Sequence, residues 1–338
     1  MLKKVRHFYE KYEIPLSYGS LFLGFIIDSF TLTRVDRMFD LFWVLGHVMV
    51  ASIALIIFNK FYTKPKIKFL AELAIQFAFG GLLSACLVFY ARGATLSYNW
   101  PFILILLAAF VCREYFKKHF EKMALQVSFL FFALFSFSIF FVPVIIGRIG
   151  DIIFILSGIM SLIFISIFLA ILYGTTKEKF KESRKYVFIS IIGIFVSINI
   201  LYFTNLIPPL PLSLKDAGAY TNIIKTNDGY VLEGEQNTFA TLHGLRLKHF
   251  SYNDNIYVYT AIFAPANISI PIVHEWQYYD TTAKKWKTHS TIKLKIIGGR
   301  DEGFRTYSKS YSQSKGKWRV NVRTEPGALI GRVQFVVE

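Results

Sequence analysis

Cysteine is almost missing: Cys86 and Cys112 are the only two in 338 residues. A small secreted fold stapled by disulfides is therefore excluded. No HExxH helix, GxxxxGK[ST] phosphate loop or GxSxG nucleophile elbow occurs, and the seven histidines are scattered. The expectation is accordingly no metal, no cofactor and no enzymatic motif. Charge is scarce as well, at 18% of residues against about a quarter in a soluble domain. With 54% hydrophobic residues and a mean hydropathy of +0.44, a wholly soluble or a disordered chain is excluded. What is abundant is phenylalanine, and 30 of its 35 copies precede residue 208.

That amino-terminal region carries apolar runs at 14–33, 39–58, 69–91, 94–112, 124–146, 151–173 and 186–206. Each is near the 20 or so residues a helix needs to cross about 30 Å of hydrocarbon. Backbone groups find no water there, so such runs are helical. The expectation is seven spans, with 94–112 the weakest because of Asn99 and Pro101. Lysine and arginine alternate in support of this count. The amino terminus and the loops after the second, fourth and sixth runs hold 17 of them, and the intervening loops hold Arg34, Arg37, Arg92 and Arg148. The positive-inside rule puts the amino terminus in the cytoplasm and, with seven spans, the carboxy terminus outside. The first run reads as a signal anchor, being long for a signal peptide and lacking a small-x-small cleavage site. Trp43, Tyr90, Tyr98, Trp100 and Tyr202 fall at outer ends of runs, Tyr173 and Tyr186 at inner ends.

Of the net charge of +16, +10 lies in residues 1–207. It follows the loops and suits anionic lipid headgroups, so nucleic acid is not an expected partner. Ionisable groups at membrane depth cost a few kcal/mol on insertion scales and are candidates for function. They are Asp28, His47 and Glu72, with Gln76 beside them. Asp28 and His47 differ in depth by about 5 Å, close enough to pair, whereas Glu72 lies far to the inner side. Glu72, Gln76, Gly80 and Ser84, and likewise Ser20, Gly24 and Asp28, recur every four residues, as helix-packing stripes do. No internal repeat of the kind transporters show is present.

Residues 207–216 are proline-rich and read as a semi-rigid linker between a membrane domain (1–206) and a second domain (217–338). Beyond it the period becomes two, with strand-like runs at 230–233, 238–243, 255–264, 271–280, 291–297, 303–311, 317–323 and 330–337. These predict an all-β antiparallel sandwich. Ile292, Leu294 and Ile296 alternate with Lys293 and Lys295, and Trp318, Val320 and Val322 with Lys317, Arg319, Asn321 and Arg323. One face is therefore a core and the other a basic surface. The candidate ligand-binding residues are Arg305, Tyr307, Lys293, Lys295, Arg319, Arg323 and His274; Arg305 beside Tyr307 and Ser308 suits a phosphate or a sugar. Nothing in the spacing orders His274, Asp301 and Ser308 as a catalytic triad, and Asn267-Ile268-Ser269 is a glycosylation sequon without evident meaning.

His274-Glu275-Trp276, Gly303-Phe304-Arg305-Thr306-Tyr307-Ser308, Gly316-Lys317-Trp318-Arg319-Val320 and Gly327-Ala328-Leu329-Ile330-Gly331 together resemble an uncharacterised bacterial carboxy-terminal domain family. It is a domain of unknown function found in envelope proteins behind membrane spans. The resemblance covers about residues 270–338. It implies a bacterial source and an extracytoplasmic domain, and it implies no activity or site residues.

Three functions follow as expectations. The first is an inner-membrane protein that presents a basic sandwich to the periplasm and binds an anionic envelope polymer or an envelope protein. The second is a small ion-coupled transporter using Asp28, His47, Glu72 and Gln76. The third is an enzyme acting on a lipid-linked substrate at an outer cluster of Asp36, Asp40 and Asp151.

Overall fold

The computed structural model describes residues 22–93, 96–115, 122–226, 229–233, 247–252, 254–265, 269–299, 302–310 and 314–338. The chain divides into two compact units. One comprises the helices; the other comprises Asn205–Glu338 together with the connecting segments Gly93–Trp100 and Ile146–Asp151.

The first unit has seven helices among the described residues: α1 (Phe22–Thr31), α2 (Met38–Lys60), α3 (Pro65–Gly93), α4 (Leu96–Tyr115), α5 (Met123–Ile146), α6 (Asp151–Thr175) and α7 (Lys177–Phe203). Five of them, α2, α3, α5, α6 and α7, are long and apolar enough to cross a membrane. Of the seven expected spans, the described residues show seven helices, five of them candidate spans. In α4 the apolar stretch is only Asn99–Val111, because Arg113 and Glu114 interrupt it at one end and polar residues at the other. In α1 it is only Phe22–Thr31, and the start of the first predicted run lies outside the described residues.

Several hydroxyls inside these helices are satisfied locally. Ser52, Ser138, Ser157 and Ser161 each donate to the carbonyl four residues back at 2.7–2.9 Å, which removes the cost of a bare hydroxyl in an apolar medium. Between helices, Asn59 of α2 donates to Gln126 of α5 at 2.6 Å, and the Tyr90 hydroxyl of α3 donates to the Ser136 carbonyl of α5 at 2.8 Å. Tyr90 is wholly buried between Phe102 and Phe140, so it is a packing residue rather than an interfacial anchor. Gly158 of α6 lets the rings of Phe135 and Phe195 come within 3.2 Å of where a Cβ would stand. On α7, Ile189, Ile192, Val196 and Ile200 are exposed, an outward apolar face that suits a lipid surrounding.

The second unit is built of strands: β1 (Ser213–Tyr220), β2 (Asn222–Thr226), β3 (Gly229–Glu233), β4 (Lys248–Phe250), β5 (Ile256–Phe263), β6 (Ser269–Asp280), β7 (Lys285–Ile297), β8 (Phe304–Ser310), β9 (Gly316–Thr324) and β10 (Leu329–Val337). They form a three-stranded sheet β1-β5-β8, a five-stranded sheet β4-β10-β9-β6-β7, and a β2–β3 hairpin. Trp276, Trp318, Val320 and Phe335 of the larger sheet share one core with Ala217, Ala219, Ile256 and Val258 of the smaller. Every pairing is antiparallel except β4 against β10, which is parallel and corrects the all-antiparallel expectation.

The expected linker 207–216 runs into β1, and Ile207, Leu210 and Leu212 are buried. Strand β1 (Ser-Leu-Lys-Asp-Ala-Gly-Ala-Tyr) has no β-branched residue, and Tyr220 is its one aromatic, so it lacks most of the residues that mark a strand. Its inward alanines are small because tryptophans share the same core. Strand β7 starts six residues earlier than predicted, over Lys285–Ser290, where too few apolar residues exist to show an alternation. The predicted strand 238–243 lies outside the described residues. Gly93–Trp100 and Ile146–Asp151 join this unit through named contacts. Asn99 donates to the carbonyls of Asn205 and Leu206 at 3.3 and 3.1 Å, and Ile149 packs on the apolar cluster around Leu212 and Ile330.

Candidate functional site

The outward positions of β7, β6, β9 and β10 make one continuous polar face. Register places Glu275 opposite Asn321, Gln277 opposite Arg319, and Asn321 opposite Arg332. A bulge between Trp276 and Gln277 sets Gln277 opposite Thr288 on β7. Glu275 sits at the centre of the network that results. It accepts from Thr288 (3.0 Å) and Gln277 (2.8 Å) at one carboxylate oxygen, and from Asn321 (3.0 Å) at the other, which also pairs with Arg323 at 3.0 Å. Arg319 donates to Gln277 at 2.7 Å and Arg332 to Asn321 at 2.7 Å. The Arg319 guanidinium also lies over the Trp286 ring, 4.2 Å from its centroid.

The charge balance of this face is lopsided. Lys293, Lys295, Lys317, Arg319, Arg323 and Arg332 face outward with Glu275 and Glu325 as the acids among them. Burial and then the repulsion of Arg332 and Arg323 push Arg319 down to about 10, despite Glu275. Burial opposes ionisation of Glu275, but Asn321, Arg323, Thr288 and Gln277 outweigh it and hold its carboxyl below the ordinary range. Lys293 is paired with Glu325 at 2.8 Å.

The predicted ligand residues therefore separate into three places. Lys293, Lys295, Arg319 and Arg323 share this face. Arg305 and Tyr307 lie on the outer face of the other sheet, where Arg305 pairs with Glu302, and Tyr307 stands 5.8 Å from Tyr230 and 6.0 Å from Tyr257, ring centre to ring centre. His274 is in the interior. The sequence reading did not single out Glu275, Gln277, Asn321 and Arg332, though their outward position in the alternation was the signal that pointed to them.

His274 is fully buried and ties the two sheets. One ring nitrogen, Nδ1, lies 2.8 Å from Ser308 Oγ on β8, and Nε2 lies 3.2 Å from Thr260 Oγ1 on β5. Ser308 also accepts the Trp276 indole proton at 3.0 Å. With that proton accepted, Ser308 donates to Nδ1, and Nε2–H donates to Thr260, so each group is satisfied by a neutral imidazole. Burial pushes His274 down to about 4. The His–Ser contact resembles half of a hydrolytic triad, yet both residues are inside the core and the second ring nitrogen meets a hydroxyl rather than a carboxylate. Asp301 and Asn267 lie outside the described residues.

Within the helices, His47 Nδ1 donates to the Trp43 carbonyl at 2.9 Å. The ring lies between Trp43 and Phe77 and against Gly81, where a Cβ would fall 2.3 Å from Nε2. Asp28 of α1 approaches the hydroxyl of Ser84, which has no hydrogen-bond partner among the described residues, and lies within electrostatic reach of His47. Asp28, His47 and Ser84 thus gather from three helices. Glu72 is elsewhere, 4.0 Å from Lys68 near the start of α3, and Gln76 is partly buried one turn further on. Gly81, which seats His47, was missed because its neighbour Gly80 fitted the four-residue stripe. Of the acids proposed for an outer cluster, Asp36 is held by Nε and Nη2 of Arg34 at 2.9 and 2.7 Å. Asp40 is buried in the first turn of α2, and Asp151 opens α6. Arg92 donates to the carbonyls of Thr33 and Ser29 at 2.6 and 2.5 Å and so closes the end of α1. Among the described residues no group of acids, cysteines or histidines is arranged to hold a metal ion.

Residues 270–337 match the family described as a protein of unknown function (DUF2914), a stretch that spans β6 to β10. That bears out a carboxy-terminal domain of unknown function over the residues whose motifs suggested one. No curated protein matches the chain. Among solved structures, the Pseudomonas fluorescens alkylpurine DNA glycosylase AlkC, bound to DNA containing an abasic site analogue, aligns with 90% of this chain and 99% of its own at 9% identity. Its TM-score of 0.24 is too low to carry an argument about fold or function.

Proposed function

We propose that this is a polytopic inner-membrane protein of bacteria whose carboxy-terminal β-sandwich is a non-enzymatic binding module, holding an anionic component of the envelope on the basic face of its five-stranded sheet. The observation that carries the reading is the gathering of Arg319, Arg323 and Arg332 around one carboxylate, with Lys293 and Lys295 beside them. Three guanidiniums with a single acid among them form a fixed, donor-rich surface, and arginine forks match phosphate and carboxylate oxygens. A periplasmic position for this module is supported by the arginine-poor connections Gly93–Trp100 and Ile146–Asp151, which belong to the same unit as the strands.

The test is binding of a fluorescent phosphate-bearing glycopolymer to the full-length protein in nanodiscs at low salt. Arg319→Gln together with Arg332→Gln should weaken binding at least about tenfold and flatten its salt dependence, at about 1 kcal/mol or more per lost charge-assisted contact. Absence of binding to the native protein, or equal binding by the double variant, refutes the module's proposed role.

A second reading, ion coupling through the helices, is favoured by the meeting of Asp28, Ser84 and His47. On that reading Asp28→Asn and His47→Ala abolish proton-driven flux in proteoliposomes while leaving the helical content intact; unchanged flux removes it.

A further inference from the structure

One end of the basic face is aromatic, and a surface that holds only anions has no use for that. Tyr279 of β6 and Trp286 of β7 are cross-strand partners beside the hairpin turn, with ring centres 5.4 Å apart and planes inclined by 64°. Both stand on the outer side of the sheet and are partly exposed, whereas the neighbouring Tyr278 packs against the core. The turn that brings them together is fixed. One Asp280 carboxylate oxygen accepts from the backbone of Thr282 and Ala283 at 2.9 Å each, and the other meets Lys287 at 2.5 Å. Arg319 reaches across β6 from β9 to lie over Trp286, and Gln277 holds it there by accepting from Nε at 2.7 Å.

These contacts engage Nε and one side of the guanidinium plane. Among the described residues, the two terminal nitrogens of Arg319 make no hydrogen bond, and neither do the Trp286 indole nitrogen and the Tyr279 hydroxyl. A guanidinium fork matches two oxygens of a phosphate. The weakly positive C–H face of a pyranose packs on the negative face of an aromatic ring, and its hydroxyls bond to indole and phenol groups at the ring edges. A bare polyanion would engage the arginine and leave the rings aside; a neutral sugar would do the reverse. A sugar that carries phosphate uses both. Burial and the charges of Arg332 and Arg323 oppose the charge of Arg319 more than Glu275 relieves it, and a phosphate at its fork would shift that balance back.

We propose that Tyr279, Trp286 and Arg319 form the sugar-reading end of this face, and that its ligand is a glycan bearing phosphate, with a pyranose against the two rings and the phosphate on the Arg319 fork. The inference rests on the reading of the face as an anion-holding surface. The test compares three ligands on the full-length protein in phosphatidylcholine nanodiscs: an oligosaccharide linked by phosphodiesters, inorganic polyphosphate of equal charge, and the same oligosaccharide without phosphate. The native protein should bind the first at least about tenfold more tightly than either of the others. Trp286→Leu should weaken the phosphorylated oligosaccharide by about tenfold or more and polyphosphate by less than about threefold, and Arg319→Gln should weaken both. If the native protein binds polyphosphate as tightly as the phosphorylated oligosaccharide, sugar recognition is overturned and the anion-holding surface stands. Equal binding of the neutral oligosaccharide overturns the part given to phosphate. Binding of none of the three overturns the surface itself, and the inference with it. An equal loss of both charged ligands in Trp286→Leu makes the indole a support for Arg319 and overturns its contact with sugar; unchanged binding overturns the site. If Trp286→Leu unfolds at a much lower temperature than the native protein, Tyr279→Leu on the neighbouring strand, assayed with the same two charged ligands, decides by losing or keeping the preference.

Discussion

A histidine and a glutamate occupy neighbouring positions of β6 and point to opposite faces, and their roles differ because of that alone. His274 is neutral and internal. Its folded value of about 4 lies below the ordinary 6.5, so between those limits the unfolded chain binds a proton that the folded domain refuses. Stability is then full above about pH 6.5 and falls as the pH drops towards 4, by about 2 kcal/mol between pH 7.5 and pH 5. Tryptophan-detected unfolding at the two pH values should show this loss, and His274→Gln, which removes the titration, should flatten it. Glu275 is the acid among arginines. Replacing it with glutamine removes the negative charge that Arg323 and its neighbours surround, at a cost to stability of about 1–3 kcal/mol. It also leaves the basic face more positive, so affinity for the phosphate-bearing polymer should rise severalfold in the same nanodisc titration. A fall in affinity would mean that Glu275 holds the arginines in their binding positions.

Single elements show where local pattern suffices and where it does not. Strands β6, β9 and β10 alternate cleanly because one side is core and the other solvent, and they appear where the pattern puts them. Strand β1 escaped notice because its small inward residues complement bulky ones on another strand, a relation that no window of sequence contains. Helix α3 illustrates the same limit. Its glycines at 80 and 81 are equivalent by composition, and it is the packing of Gly81 against the His47 ring that gives that position a role. Gly81→Ala should therefore force the ring or the helix aside and lower stability by about 1–3 kcal/mol, read as a lower Tm in detergent. Gly24→Ala on α1, where a Cβ meets open space, should leave Tm nearly unchanged.

At the scale of the whole molecule the decisive quantity is the side of the membrane on which the strands lie. Ser314 is exposed, and its carbonyl accepts the Trp318 indole proton at 2.7 Å. Ser314→Cys therefore offers a label site that leaves this contact in place. Cys86 is buried, and replacing Cys112 with alanine removes the other native thiol. An impermeant maleimide should label Ser314→Cys in intact spheroplasts. Labelling only after lysis would place the basic face in the cytoplasm and redirect the search towards anionic partners there.

Run length, charge alternation and period are properties of neighbouring residues. By themselves they determined that apolar helices precede a β-rich domain with one basic face, and they located most of its strands. Only the tertiary structure decided which side chains meet. It set His274 against Ser308 and Thr260, Arg319, Arg323 and Arg332 around Glu275, and Asp28 beside Ser84 and His47. Each group joins residues far apart in the chain, so strand register and helix rotation select its members. A register shift of one residue would turn every one of the strand side chains among them to the opposite face.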